Sequence, residues 1–183
     1  EEGAAYVYGP QKGADPDMVT LLDNNLRRFS DVAERDLDMD VQGIPGAGAA
    51  GGLGAGLVAF CGAELRSGID AILDIVRFDA AAADADLVIT GEGAMDGSSA
   101  YGKVPVGIGR RLKGTNVPVL AIVGDIGKGA SAVYEYGVDG IMSTVNRAVP
   151  LETAIKESTE MLEDAAERVM RILQIGMRIS SKS

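Results

Sequence analysis

Apolar positions along this chain follow two periodicities. Behind Asp15-Pro16, which reads as an N-cap and a first helical position, Met18, Leu21, Leu22, Phe29, Val32 and Ala33 fall on one helical face and predict a helix near 16–35. Residues 36–46 are polar and predict a loop. Residues 46–62, GAGAAGGLGAGLVAFCG, predict a glycine-rich loop running into a helix whose face carries Leu53, Leu57 and Phe60. A further amphipathic helix is predicted over 68–78. Ala5-Tyr6-Val7-Tyr8 is a short β-type run. Three more, at 86–90, 117–123 and 138–145, are separated by helices predicted over 104–113 and 129–136. Strands alternating with helices indicate βαβ units and a parallel sheet. After Pro150, residues Leu151, Ile155, Met161, Leu162, Ala165, Val169 and Ile172 draw a helical stripe over 151–175 that suits packing on that sheet. The expected fold class is therefore α/β, a parallel βαβ sheet with flanking helices. The pattern divides into a glycine-rich helical and α/β segment, 1–80, and a Rossmann-like βαβ segment with a C-terminal helix, 81–183.

Composition narrows the function classes. At 46% hydrophobic over 183 residues the chain can bury a substantial core. No apolar run reaches the roughly 20 residues of a membrane span, and no signal-peptide pattern is visible, so no membrane partner is expected. Cys61 is the single cysteine, which excludes a disulfide framework and suits a reducing, cytoplasmic setting. The formal charge of −10 argues against nucleic acid as a partner. An anionic ligand would need lysines, helix amino ends or a metal to reverse that field locally. With no histidine in the chain, a general base must be a carboxylate, a lysine or water. The sequence opens on Glu1 rather than methionine, as expected of a segment that begins inside a longer protein.

The candidate chemistry is densest between Asp86 and Pro105, DLVITGEGAMDGSSAYGKVP. The apolar run Leu87-Val88-Ile89-Thr90 is expected to end at a turn made by Gly91-Glu92-Gly93. Open α/β sheets build their sites at such strand carboxyl ends. Asp favours turns for conformational reasons, but Glu between two glycines has no such explanation, so Glu92 and Asp96 together point to a metal or base role. Gly97 to Lys103 imitates the start of a phosphate loop, yet Val104 stands where magnesium coordination needs Ser or Thr. Lys103 is then either a point charge on a phosphate or an ordinary solvated lysine. Gly9-Pro10-Gln11-Lys12-Gly13-Ala14 is either a plain connection or an anion site built from Lys12 and a helix amino end.

Gly46, Gly48 and Gly51 satisfy the G-x-G-x-x-G spacing. A dinucleotide fingerprint needs a strand directly before it, and Val41-Gln42-Gly43-Ile44-Pro45 is no apolar run. Each glycine inside a helix costs about 1 kcal/mol relative to alanine, so the glycines at 48, 51, 52, 54 and 56 require a reason. Tight helix packing is one, and backbone N–H groups offered to an anion are another.

Four segments in order, GAAYVYGPQKGAD, PGAGAAGGLGAGL, DLVITGEGAMD and GKVPVGIGRRLK, resemble the carboxyl-terminal half of the bacterial glycerate kinase family, the type acting on D-glycerate. The resemblance covers nearly the whole chain. It implies phosphorylation of a D-glycerate hydroxyl with ATP and Mg2+, by two α/β domains facing a cleft. It implies that Asp96 orients or deprotonates the hydroxyl or holds magnesium, with Glu92 as its second, and that Lys12 and Lys103 neutralise carboxylate or phosphate. Gly48, Gly51, Gly52 and Gly54 would lie against a ligand, and Gln11, Gly13, Gly91, Gly93, Ser98, Ser99 and Gly102 complete the implied binding set. The chain departs from the family pattern at Ala94, where a basic residue is usual, and at Ser98-Ser99, where Gln-Thr is usual. The family's amino-terminal half would then be the partner that completes the cleft, and without it an exposed apolar surface is expected to favour self-association. Two rival classes are an inactive ligand-binding or regulatory relative and a NAD-binding oxidoreductase.

Overall fold

The computed structural model describes residues 3–97, 99 and 102–182. The chain divides into two compact units, Glu1–Arg66 and Ser67–Ser183.

The first unit is helical among its described residues: α1 (Ala4–Tyr8), a 3-10 turn at Pro10–Lys12, α2 (Pro16–Leu37) and α3 (Ala49–Cys61). The β-type run at 5–8 is thus a helical turn. Tyr6 N and Val7 N donate to Gly3 O at 3.0 and 3.1 Å, and Gly9 N donates to Ala5 O at 2.9 Å. Four apolar residues carry no period that separates strand from helix. Helix α2 starts as the sequence predicts, with the Asp15 carboxylate accepting from Met18 N at 2.8 Å and Pro16 in the first turn. The loop after it is polar but anchored: Val41 is buried with Ala33, Ala47 and Ala55 in this unit's core.

The second unit holds α4 (Gly68–Ile75), α5 (Phe78–Ala82), β1 (Val88–Met95), α6 (Val104–Leu112), β2 (Val119–Ile126), a 3-10 segment (Ala130–Tyr136), β3 (Gly140–Ser143), α7 (Leu151–Lys156) and α8 (Ser158–Ser180). The three strands are parallel in the order β1-β2-β3. This is the expected parallel α/β sheet. Helix α6 and the 3-10 segment cover one face, where Val106, Ala121, Val123, Val133 and Val138 pack together. Helix α8 covers the other through Ala165 and Val169 on Ile122. Burial on both faces explains why β2 reads as an unbroken apolar run from Val119 to Val123.

Four sequence expectations shift. The strand expected from the run Leu87-Val88-Ile89-Thr90 does not end at Gly91. Its ladder continues through Glu92–Val123 and Ala94–Asp125 to Met95–Ile126. Gly91 and Gly93 are strand residues rather than a turn, and the close approach of the strands falls on Gly124, where a Cβ would lie 2.5 Å from Gly93 O. The segment 130–136 is a 3-10 helix closed at each end by a left-handed glycine, Gly129 and Gly137. The C-terminal stripe breaks at Glu157 into α7 and α8. Finally, the unit boundary falls at 66/67 rather than 80/81, because Leu73 of α4 and Ala82 of α5 pack with Ile108, Leu112 and Val119 in the sheet unit.

Candidate functional site

The carboxyl edge of the sheet gathers the chemistry flagged between 86 and 105. Glu92 and Ala94 lie on one face of β1, alternating with Gly91 and Gly93 on the other. Asp96 follows directly and is half-buried. Asp96 N donates to Ser99 Oγ at 3.0 Å, and Ser99 N donates to Asp96 O at 3.0 Å, closing a turn around a serine with no exposed surface. Ser99 therefore holds Asp96 in place. Ser98 lies outside the described residues.

Lys103 is half-buried at the N-cap of α6, and its Nζ donates to Ala94 O at 2.7 Å. One of its three donors is thus engaged by the strand end, so the lysine latches the far end of the loop to the place where the loop begins. Gly102 precedes it with φ of +113°, a conformation that favours glycine.

A second loop, after β2, is stitched to the first through main chain. Gly127 N donates to Met95 O at 2.7 Å, and Gly97 N donates to Lys128 O at 3.1 Å. A Cβ on Gly127 would stand 3.1 Å from Asp96 Cβ, and one on Gly129 would stand 3.1 Å from Gly97 Cα. This brings Asp125 and Lys128 beside the first loop, and both are exposed. These two residues lie outside the sequence motifs set out above. Their signal was present, because Gly124-Asp125 and Gly127-Lys128-Gly129 after an apolar run repeat the strand, glycine, acid and lysine pattern of 86–103. Behind them, Ser143 Oγ donates to Gly124 O at 3.3 Å, and Arg168 of α8 donates to Ser143 O and Thr144 O, both at 3.3 Å.

Among the described residues no group of three or more His, Cys, Asp or Glu side chains is placed to hold a metal by itself. Glu92 and Asp96 still suit magnesium in donor type, since that ion is commonly bound by one or two carboxylates with substrate phosphates supplying further oxygens.

The other flagged residues lie in the first unit. Gln11, Lys12, Gly13, Gly48, Gly51 and Gly52 all line one groove of about 1110 Å³, whose remaining wall is mainly apolar and includes Met18, Leu22, Leu26 and Phe29. Ala50, Gly51 and Gly52 have positive φ (51°, 68° and 91°), so regular helix begins only at Leu53. The glycines here have separate reasons. A Cβ on Gly48 would meet Ala4 Cβ at 2.7 Å, one on Gly52 would meet Leu26 Cδ2 at 2.7 Å, and one on buried Gly54 would meet Gly46 O at 2.8 Å. Gly54 thus packs beneath the groove rather than lining it. Gly51 and Gly56 have nothing within 4 Å of an added Cβ and leave open backbone along the groove. The residues before Gly46 form turns, so the dinucleotide spacing lacks the strand that its chemistry needs.

The family model described as "Glycerate kinase family" matches residues 1–174. The chain belongs to the glycerate kinase family. It is similar to a glycerate kinase of Halalkalibacterium halodurans, 46% identical over 92% of this chain and 44% of the relative. A glycerate 2-kinase of Escherichia coli K12 is 39% identical over 97% of this chain and 47% of the relative. A crystal structure from Salmonella typhimurium LT2, assigned as a glycerate kinase 2, superposes with a TM-score of 0.69 at 43% identity, covering 97% of this chain and 46% of that one. The chain spans about half the length of the curated relatives it matches. Neither the oxidoreductase nor the regulatory reading gains support from these likenesses. Among the described residues no helix of this family member is long and apolar enough to cross a membrane.

Proposed function

We propose that this chain forms part of a kinase that transfers a phosphoryl group from ATP to a hydroxyl of D-glycerate. The observation that carries the reading is the grouping of Glu92, Asp96 and Lys103 at the carboxyl edge of a parallel sheet, in a member of the glycerate kinase family. Phosphoryl transfer needs positioning and charge neutralisation more than covalent chemistry. Asp96, fixed by Ser99, orients the attacking hydroxyl and accepts its proton or holds the metal. Glu92 is the second carboxylate. Mg2+, bound through these two carboxylates and nucleotide phosphates, would neutralise developing charge. Gln11, Lys12, Gly13 and the open backbone at Gly51 contact substrate or nucleotide in the first unit's groove. Gly91, Gly93 and Gly102 give the ligand close access to main chain at the sheet edge.

The further partner in this reading is the other half of a full-length enzyme, and self-association is expected where apolar surface such as Ile89 on β1 and Ile175 and Met177 on α8 stays open. An exposed, unpaired Cys61 suits a reducing cytoplasm. The test is a coupled ADP-release assay with MgATP and D-glycerate. It is run on the 183-residue chain alone and with the half of the Halalkalibacterium halodurans relative that the chain does not cover. Glycerate-dependent turnover is expected with the added half and not without it. No turnover in either case, with ligand binding also absent, removes the kinase reading. Turnover by the chain alone shows a self-contained site.

A further inference from the structure

A site for two anionic reactants in a chain of net charge −10 needs a cation close to the reacting atoms. At the sheet's carboxyl edge most cations are engaged. Lys103 donates to Ala94 O. Arg168 donates to Asp164, Ser143 O and Thr144 O. Arg147 pairs with Glu157 at 2.5 Å. Lys128 differs: its side chain is exposed, and its ammonium makes no hydrogen bond or ion pair with a described residue.

The position of Lys128 is nevertheless fixed. Its carbonyl accepts from Gly97 N, and Gly127 and Gly129 on either side press against Asp96 and Gly97 closely enough that a Cβ on either would stand 3.1 Å from those residues. The lysine is thus the one residue of Gly127-Lys128-Gly129 with a side chain. It is seated on a main-chain frame that also carries Asp96. A compact ammonium on a flexible four-carbon stem suits a point contact with an oxyanion.

We infer that Lys128 binds an oxyanion of the reacting pair next to Asp96, either the carboxylate of the hydroxy acid or the phosphate being transferred. The inference rests on the kinase reading. It also divides the roles of two lysines. Lys103 holds the loop, and Lys128 meets the ligand.

The test is titration of the full 183-residue chain, with and without its complementary half, by D-glycerate and separately by MgATP at two ionic strengths. Lys128→Met is expected to weaken one of the two ligands by about tenfold or more, the loss carried by a charge-assisted hydrogen bond, and to flatten its salt dependence. The affected ligand identifies the oxyanion. Lys128→Arg is expected to recover most of the loss, and Lys182→Met to change nothing. The thermal midpoint of Lys128→Met should match the parent, since only an exposed side chain is removed and the carbonyl bonded to Gly97 stays. If the parent binds and Lys128→Met binds equally well, the inference fails and the kinase reading stands. If the parent binds neither ligand in either form, the reading fails and takes the inference with it.

Discussion

Ala94 and Asp125 are register partners across the parallel β1–β2 ladder, at the last rungs before the carboxyl edge of the sheet. Their side chains share a face, so a small apolar residue two positions before Asp96 stands beside an exposed carboxylate. A long cation at position 94 would reach that carboxylate.

Ala94→Arg is therefore expected to fold normally and to pair with Asp125. A double-mutant cycle with Asp125→Asn, read by urea unfolding, should give a coupling of about 0.2–1 kcal/mol, the range of exposed ion pairs. In the active protein the added charge should also raise kcat/KM for D-glycerate. Zero coupling means that the arginine points away from Asp125.

Asp96→Asn keeps the shape of the side chain and its main-chain bonds with Ser99. It should lower kcat by about 10² or more in a variant that still folds cooperatively. A folded variant with parental kcat would take Asp96 out of the chemistry.

Lys103→Met removes the donor to Ala94 O and frees the far end of the loop that carries Asp96. A stability loss of about 1–2 kcal/mol is expected from losing a charged hydrogen bond at a half-buried position. Chemical denaturation measures it. Unlike Lys128→Met, this variant should shift the midpoint before it alters the salt dependence of binding.

Gly124→Ala tests the close approach of the strands. The new Cβ would stand 2.5 Å from Gly93 O, which is main chain and cannot rotate aside. The substitution is expected to destabilise the second unit by about 1–3 kcal/mol through overpacking. Gly51→Ala has no steric conflict but must hold φ near 68°. Its cost is then conformational, about 1–2 kcal/mol.

Much of this architecture was legible because its causes are local. Asp15 caps α2 by a bond three residues away, the stripe of α2 has a clear period, and β2 is apolar from Val119 to Val123 because both of its faces are covered there. The misread elements depend on distant partners. Ala5 to Tyr8 have strand-like composition, yet their amides bond within a helical turn. Gly91 and Gly93 look like a turn until β2 lies beside them, when they become rungs of a ladder in which Gly124 is the residue with no room for a side chain. The candidate site divides in the same way. Glu92, Asp96 and Lys103 stand out along one stretch of sequence. Asp125 and Lys128 gain their meaning only from the ladder and the loop contacts, which place them beside residues about thirty positions earlier.

Among the described residues, the contacts that join the two loops, Gly127 N to Met95 O, Gly97 N to Lys128 O, and the glycine pairs packed between them, are almost entirely main chain. No side chain at 94, 125 or 128 takes part in holding that corner together. Substitutions there can change charge and reach while the peptide scaffold stays where it is. On the proposed kinase reading, this corner is consequently a place where descendants of one enzyme can drift in substrate preference by single mutations, each tolerated because none disturbs the fold that carries Asp96.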